Sequence, residues 1–154
     1  RAYFRVIEHD GYFYAMSMPG NLYRSRDGLS NFEEGPNFFT PAMRHSALMI
    51  RDNQLFVFFT NRSDSPERIF LSTIDLSGDW MQWAATEPVE VLRPETEWEG
   101  SDLPIEPSRG GYIDVRVNQL RDPAIYQEED KTYLLYAVAG ESGIAIAELE
   151  FTNN

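Results

Sequence analysis

The residues best suited to chemistry stand at the start of two apolar stretches, as the dipeptides Arg44-His45 and Arg121-Asp122. An arginine can hold a carboxylate or a sugar hydroxyl, and a histidine can donate a hydrogen bond or a proton. Pro123 fixes the backbone directly after Asp122, the best-placed carboxylate of the chain. The alternative is structural, with Arg121 and Asp122 forming an ion pair and His45 being an ordinary strand residue.

Both dipeptides open a repeated unit. The segments 1–16, 44–59 and 121–138 each begin with Arg, continue with an apolar stretch and turn at Asp-Gly, Asp-Asn or Asp-Lys before an aromatic strand. Asp-Gly and Asp-Asn favour tight hairpins because these residues tolerate positive φ. A third strand follows in every copy. The first copy adds a fourth strand near Phe32, closed by Gly35-Pro36, and the second adds one from Trp80 to Pro94. The sequence predicts an all-β array of four-stranded antiparallel meanders.

A radial array of such meanders is a β-propeller. The predicted blades are about 1–40, 44–94 and 121–154, and residues 95–120 are a Pro-, Gly- and acid-rich insertion typical of a functional loop. Three blades do not close a ring, and the third unit stops after its third strand, which leaves an open edge. We therefore expect the C-terminal part of a longer propeller, with open edges that favour self-association. The alternative fold is a small β-sandwich of about ten strands.

Composition limits the partners. The net charge of -12 repels phosphate backbones and anionic membrane surfaces, which argues against nucleic acid and membrane partners. The chain has no Cys, so disulfides, thiolate metal sites and cysteine nucleophiles are excluded. No apolar run approaches the roughly 18 residues of a membrane span. No His/Cys cluster indicates a metal, and the expectation is no cofactor, although acidic loop oxygens can hold Ca²⁺.

The combination of RDPAIY, DKTYLLYAVAG and GIAIAEL resembles the blades of five-bladed β-propeller glycosidases. The nearest resemblance is to glycoside hydrolase family 43 and its relatives in families 32, 62, 117 and 130. SRDGLSNFEEGP also resembles a loose Asp-box. The resemblance implies that the Arg-Asp-Pro segment is the innermost strand of a blade beside a central pocket. It implies a carbohydrate substrate or ligand and hydrolysis by two carboxyl groups.

The same resemblance implies roles for single residues. Asp122 would orient the substrate or tune the pKa of the acid, and Glu99, a Glu followed by Gly ahead of the third blade, would be the general acid. Trp98 would supply apolar surface for sugar stacking and raise the pKa of Glu99. Asp102 is the alternative acid. The competing interpretation is that Glu99 is one of many solvated loop acids.

The remaining candidates are arginines and His45. Arg44 and His45 would face the same axis as Arg121 and Asp122, and Arg109 would serve a carboxylate-bearing or phosphorylated sugar. The general base expected from the first blade of the family is not identifiable, so the chain alone is expected to be inactive.

Two other functions fit parts of the pattern. A non-catalytic propeller that binds carbohydrate or protein would explain the missing base. A sialidase-like propeller would use an arginine triad, for which Arg1, Arg44 and Arg121 recur at matching positions, but proper Asp-boxes are missing.

Overall fold

The computed structural model describes residues 2–151, which form three antiparallel sheets whose strands follow one another in chain order. The first sheet holds β1 (Arg5–His9), β2 (Tyr12–Ser17), β3 (Asn21–Ser25) and β4 (Glu33–Asn37). The second holds β5 (Met43–Arg51), β6 (Gln54–Asn61), β7 (Ile69–Asp75) and β8 (Val89–Leu92). The third holds β9 (Arg121–Glu128), β10 (Lys131–Val138) and β11 (Gly143–Glu148). Two single-turn 3-10 helices lie at Trp80–Gln82 and Glu97–Glu99.

The second sheet lies between the other two and is buried on both faces. One core joins it to the first sheet through Tyr14, Met16, Leu22, Leu55, Val57, Phe59 and Ile74. The other core joins it to the third sheet through Ala47, Phe58, Ile69, Leu134, Tyr136 and Val138. Strand β1 contacts β5 and β5 contacts β9, so the first strands of the sheets share one edge. The sheets fan out from that edge as propeller blades do, and the prediction of an all-β partial propeller is confirmed.

The hairpins that close β1–β2 and β5–β6 need left-handed residues at their tips. Asp10 and Asn53 have φ of +46° and +60°, values that Asp and Asn adopt more readily than most residues. In the third sheet the turn is one residue earlier than the predicted Asp-Lys. Glu129 has a φ of +55°, and Lys131 already begins β10.

The fourth strand of the first sheet contains Gly35 and Pro36 rather than ending at them, as the sequence analysis had expected. Strand β4 is an edge strand, where proline is tolerated because one side of the strand needs no ladder donor. A Cβ on Gly35 would stand 2.3 Å from Cζ3 of Trp80. The glycine therefore lets the buried Trp80 ring pack directly on β4. The predicted strand from Trp80 instead begins with a 3-10 turn, and only Val89–Leu92 is extended.

The loose Asp-box after β3 forms a hydrogen-bonded turn. The Asp27 carboxylate accepts bonds from the Leu29 and Ser30 amides at 2.9 and 2.8 Å and from the hydroxyls of Ser25 and Ser30. These bonds hold the pKa of Asp27 below its usual range. The motif closes the edge of the first sheet, away from the shared edge of the three sheets.

The outward face of the third sheet is apolar and exposed. Ile144, Ile146 and Tyr126 are 80%, 59% and 47% exposed. Leu135 pairs with Ala124 on one side and Ile146 on the other, so the apolar residues form one continuous surface. Within residues 2–151, no helix has the length and apolar character needed to cross a membrane.

Candidate functional site

Each innermost strand is preceded or begun by a residue in the left-handed region of backbone space. Tyr3, His45 and Asp122 have φ of +54°, +47° and +47°, and each lies six residues before the end of β1, β5 or β9. The pairing register of β5–β6 and of β9–β10 shifts beside His45 and Asp122, as in a β-bulge. The three residues are therefore structural equivalents at the shared edge of the sheets.

The equivalence of Tyr3, His45 and Asp122 shifts the sequence repeat by one residue in the first sheet. The residue one position before Tyr3 is Ala2, so Ala2 is the equivalent of Arg44 and Arg121. Arg1, which the sequence analysis aligned with them, lies outside the described residues. The expected arginine triad thus has an alanine at its first structural position.

The three equivalent side chains meet in a row. The rings of Tyr3 and His45 pack edge to face with centroids 4.7 Å apart, and His45 Nδ1 lies 3.3 Å from Asp122 Oδ1. The contact is within hydrogen-bond distance but outside hydrogen-bond angles, and Nδ1 is bonded to no other described residue. The His45 side chain is buried, whereas that of Asp122 is 40% exposed. The structure therefore brings together the two residues predicted to share the axis, with Asp122 on the accessible side.

The environment of His45 favours the neutral imidazole. Burial lowers its pKa to about 3, and the positive charges of Arg44, Arg121 and Arg5 act in the same direction. A neutral imidazole can donate one hydrogen bond but does not supply a proton as an acid near neutral pH.

A buried ionic cluster lies directly behind the row. Arg44 Nε donates to Glu67 Oε1 at 2.9 Å, and its second nitrogen contacts Glu67 Oε2. Arg121 Nε lies 3.4 Å from the same Oε2. All three side chains are at most 3% exposed, so the two arginines bind this carboxylate and are not presented to a ligand. The cluster joins the second and third sheets.

Glu67 is not among the candidates drawn from the sequence, because it lies in the polar segment 61–67 outside the predicted inner strands. The signal that could have found it is the recurrence of Arg at the start of two predicted inner strands. Two guanidinium groups buried at a shared edge require a carboxylate partner, since an unpaired buried charge is very costly. The sequence does not say which of the 25 acidic residues fills that role.

Arg121 also anchors the insertion to the site. Its guanidinium donates to Gln119 Oε1 at 2.6 Å, to Glu141 Oε1 at 2.9 Å, and to the carbonyls of Gly111 and Arg109 at 3.1 and 3.3 Å. Arg109 therefore contributes its backbone here, and its own side chain is exposed. These bonds hold residues 109–111 beside the first residue of β9.

A cavity of about 410 Å³ opens beside Asp122 on the third sheet. Its polar lining comes from Asp122, Glu141 and Ser142. The rest of the lining is Ala124, Leu135, Tyr136, Ala137, Gly143 and Ile144. Burial raises the pKa of Asp122, the negative charge of Glu141 raises it further, and Arg44 and Arg121 oppose both effects. The Asp122 carboxyl therefore keeps its proton to higher pH than an ordinary aspartate, as a proton donor must.

Glu99 has the surroundings of a helix cap. Its Oε2 accepts bonds from the amides of Glu95 and Thr96 and from the Thr96 hydroxyl, at 2.9 to 3.0 Å, and its Oε1 accepts one from the Tyr136 hydroxyl at 3.0 Å. Burial works to raise the pKa of Glu99, but these bonds outweigh it and the pKa is lowered. The family resemblance implies that Trp98 raises the pKa of Glu99. The direction found is the opposite, and the Trp98 side chain is 55% exposed.

The insertion residues predicted to contact substrate lie outside the cavity lining. Asp102 is exposed, and its Oδ1 lies 3.8 Å from Nη2 of Arg116. Neither Trp98 nor the Arg109 side chain lines the cavity. Glu99 reaches the cavity only through Tyr136, which lines it and whose pKa is raised to about 12 by burial and by Glu99. Within residues 2–151, no three His, Asp or Glu side chains are placed to hold a metal ion.

Comparison with known proteins gives a fold and one sequence relative. No family model matches the chain. The chain is 41% identical over 164 residues to an uncharacterized protein of Acanthamoeba polyphaga mimivirus, which covers 96% of this chain and 46% of that protein. Among solved structures it resembles a thermostable family-43 glycoside hydrolase, with a TM-score of 0.64, 15% identity and coverage of 98% of this chain and 54% of that one. The chain thus spans about half the length of each, and the structural likeness shows a propeller fold.

Proposed function

We propose that this chain is part of a propeller that binds a carbohydrate at Asp122, and that the complete protein cleaves glycosidic bonds there. The proposal rests on three properties of Asp122: its backbone conformation, its access to a cavity and its raised pKa. This carboxyl group stands in a left-handed backbone conformation at the shared edge of the sheets, opens into a cavity of about 410 Å³ and has a raised pKa. Residues held in such conformations concentrate at binding and catalytic sites.

The chemistry of the cavity suits a neutral sugar. Glycoside hydrolysis uses one protonated carboxyl group and one ionised carboxylate. Asp122 is suited to hold the proton, which differs from the orienting role that the family resemblance implied. The apolar wall around Leu135 and Ile144 can pack on the C–H faces of a sugar ring while its hydroxyls meet the acidic end. The net charge of -12 disfavours an anionic substrate.

The residues outside the cavity have lesser roles in this proposal. Glu99 is a cap that stabilises the insertion, because its lowered pKa is unsuited to a general acid. Trp98, Asp102 and Arg109 are exposed, and they are proposed to contact only the outer units of a longer glycan. His45 is proposed to contact the buried side of the Asp122 carboxyl group as a neutral imidazole.

The complete protein is proposed to cover the outward face of the third sheet beyond the cavity, around Tyr126 and Ile146, with a further sheet of the same architecture. The face is continuous and apolar, and this chain spans 54% of the length of the family-43 hydrolase it resembles. Propellers typically have four or more blades. The carboxylate missing as general base would come from such a blade. The isolated chain is proposed to self-associate through the same face.

The test uses the full-length protein that carries this chain. Hydrolysis of neutral nitrophenyl glycosides and plant polysaccharides is measured for the native protein and for Asp122→Asn. We expect the substitution to lower kcat by at least about 100-fold, the usual contribution of an acid–base group. Asp130→Asn is the matched control, since Asp130 is an exposed turn residue in the same β9–β10 hairpin. Full activity of Asp122→Asn would remove Asp122 from the mechanism.

A second candidate is a non-catalytic carbohydrate-binding propeller. It is favoured by the hydrogen bonds of Glu99, which leave the acid implied by the family resemblance ionised and buried. Sugar binding by the full-length protein without cleavage of any substrate would select this candidate.

A further inference from the structure

A second carboxylate, Glu141, lies beside Asp122 in the same cavity. It stands in the turn between β10 and β11, lines the cavity, and its side chain is 29% exposed. Its Oε1 accepts a bond from Arg121 at 2.9 Å, and within residues 2–151 no donor is bonded to Oε2. The sequence pattern gave no reason to select this residue, because it occupies an Ala-Gly-Glu-Ser turn at the far end of the hairpin.

The turn that carries Glu141 is firmly fixed. The Ala139 amide donates to the Glu99 carbonyl at 3.0 Å and the Gly140 amide donates to the Gln119 carbonyl at 2.9 Å. Gly140 has a φ of +80°, and a Cβ there would stand 2.8 Å from Cγ2 of Val117. Both the backbone conformation and the close packing therefore require glycine. The insertion and the inner strand together set the position of the Glu141 carboxylate.

We propose that Glu141 is a ligand-binding residue of the Asp122 cavity, with one carboxylate oxygen bonded to Arg121 and the other accepting hydrogen bonds from hydroxyl groups of a bound neutral sugar. The proposal rests on the proposed function, because it assumes that the cavity holds a carbohydrate. A carboxylate held by a buried arginine keeps its orientation before the ligand arrives, so little freedom is lost on binding. Asp122 and Glu141 then form the polar end of the site, and the apolar wall faces them.

A purely structural role for Glu141 is the competing explanation. Two buried arginines stand behind the cavity, and Glu67 supplies only one fully buried negative charge. Glu141 also balances the second arginine. Because both roles predict some loss of stability on substitution, the test must measure properties that a structural ion pair would leave unchanged. Ligand affinity and the ligand-induced change of the Glu141 carboxyl signal are two such properties.

The experiment titrates the full-length protein with neutral methyl pentosides, methyl hexosides and their oligosaccharides, and compares Kd values of native protein, Glu141→Gln and Glu141→Asp. We expect Glu141→Gln to weaken binding at least about tenfold, as for the loss of a hydrogen bond to a charged group. Glu141→Asp keeps the charge and should recover part of the affinity. Glu148→Gln is the matched control, because Glu148 pairs with Lys131 at 3.0 Å on an exposed part of the same sheet.

The second readout is the Glu141 carboxyl signal in carbon-13 NMR, followed as sugar is added to the native protein. A carboxylate that accepts hydrogen bonds from the sugar changes its signal, whereas one that only pairs with Arg121 does not. If the native protein binds no sugar of the panel, the proposed function fails and this inference fails with it. If the native protein binds but Glu141→Gln keeps the native Kd within about twofold, the inference alone is overturned. If Glu141→Gln does not fold, the ligand-induced shift of the native Glu141 carboxyl signal decides, and no shift overturns the inference.

Discussion

His45 and Asp122 occupy the same position in adjacent sheets, and their side chains meet with 3.3 Å between Nδ1 and Oδ1. Both residues have a φ of +47°. For residues other than glycine this conformation costs on the order of 1–3 kcal/mol. The surrounding structure must therefore hold both residues in an unfavourable conformation. The shared edge of the sheets therefore stores strain at Asp122, the residue proposed to contact the ligand, and at His45, the buried neighbour packed against it.

This strain gives the first prediction. Asp122→Gly should be more stable than Asp122→Ala by about 1 kcal/mol, because glycine adopts positive φ without a Cβ clash whereas alanine does not. Urea denaturation of the two variants measures the difference. An alanine variant at least as stable as the glycine variant would show that the backbone at Asp122 is not strained.

The second prediction concerns His45 and pH. Burial lowers its pKa from 6.5 to about 3 in the folded state, so between these values the unfolded state binds more protons. Stability should therefore fall as the pH drops from about 6.5 toward about 3, and His45→Gln should remove this part of the slope. Denaturation midpoints at a series of pH values test it. His9→Gln at the outer end of β1 is the control, and an identical slope in His45→Gln and the native protein would contradict the prediction.

The third prediction distinguishes a capping role of Glu99 from a role as general acid. Glu99→Gln should lower stability by about 1–2 kcal/mol, because the amide cannot replace the charge-assisted bonds from Thr96 and Glu95. The lowered pKa of Glu99 means that its contribution is present above about pH 4.5 and is lost as the pH falls through the folded-state value. Chemical denaturation and glycoside hydrolysis by the full-length protein are measured together, with exposed Glu97→Gln as the control. Lost hydrolysis with unchanged stability would instead restore Glu99 as the general acid.

The fold was predictable from the sequence because its determinants are local. The hairpin turns at Asp10-Gly11 and Asp52-Asn53 and the repeated apolar strands indicated meanders. The pairing of His45 with Asp122 also followed from the repeat, since equivalent positions of neighbouring blades meet at one edge. The single-residue error at Arg1 arose because the left-handed conformation of Tyr3, which fixes the equivalence, is not visible in residue types.

The partners of the site were not predictable because they come from distant and irregular segments. Glu67 lies in a polar turn, and Glu141 lies in a hairpin turn that only tertiary packing brings to Arg121. Glu99 followed a family pattern, but its role depends on amide groups that the sequence does not position. Residue types at inner strands could therefore be interpreted, whereas residue roles in loops required coordinates.

The fourth prediction tests the ionic cluster that holds the second and third sheets together. Glu67→Gln removes the carboxylate shared by Arg44 and Arg121 and leaves their guanidinium groups buried without it. We expect a loss of about 3–5 kcal/mol in the free energy of unfolding, as when one partner of a buried ion pair is removed. Urea denaturation measures the loss, and Glu90→Gln is the control.

Glu90 also pairs with two arginines, with Arg93 through both carboxylate oxygens and with Arg68 at 3.1 Å, but its side chain is 30% exposed, so its substitution should cost about 1 kcal/mol, less than that of Glu67. Arg121 keeps its bond to Glu141 in Glu67→Gln, whereas Arg44 loses its carboxylate partner, so adding Arg44→Met should recover part of the loss. If Glu67→Gln were no more destabilising than Glu90→Gln, the cluster would not hold the sheets together. The position of Asp122 would then depend on packing alone.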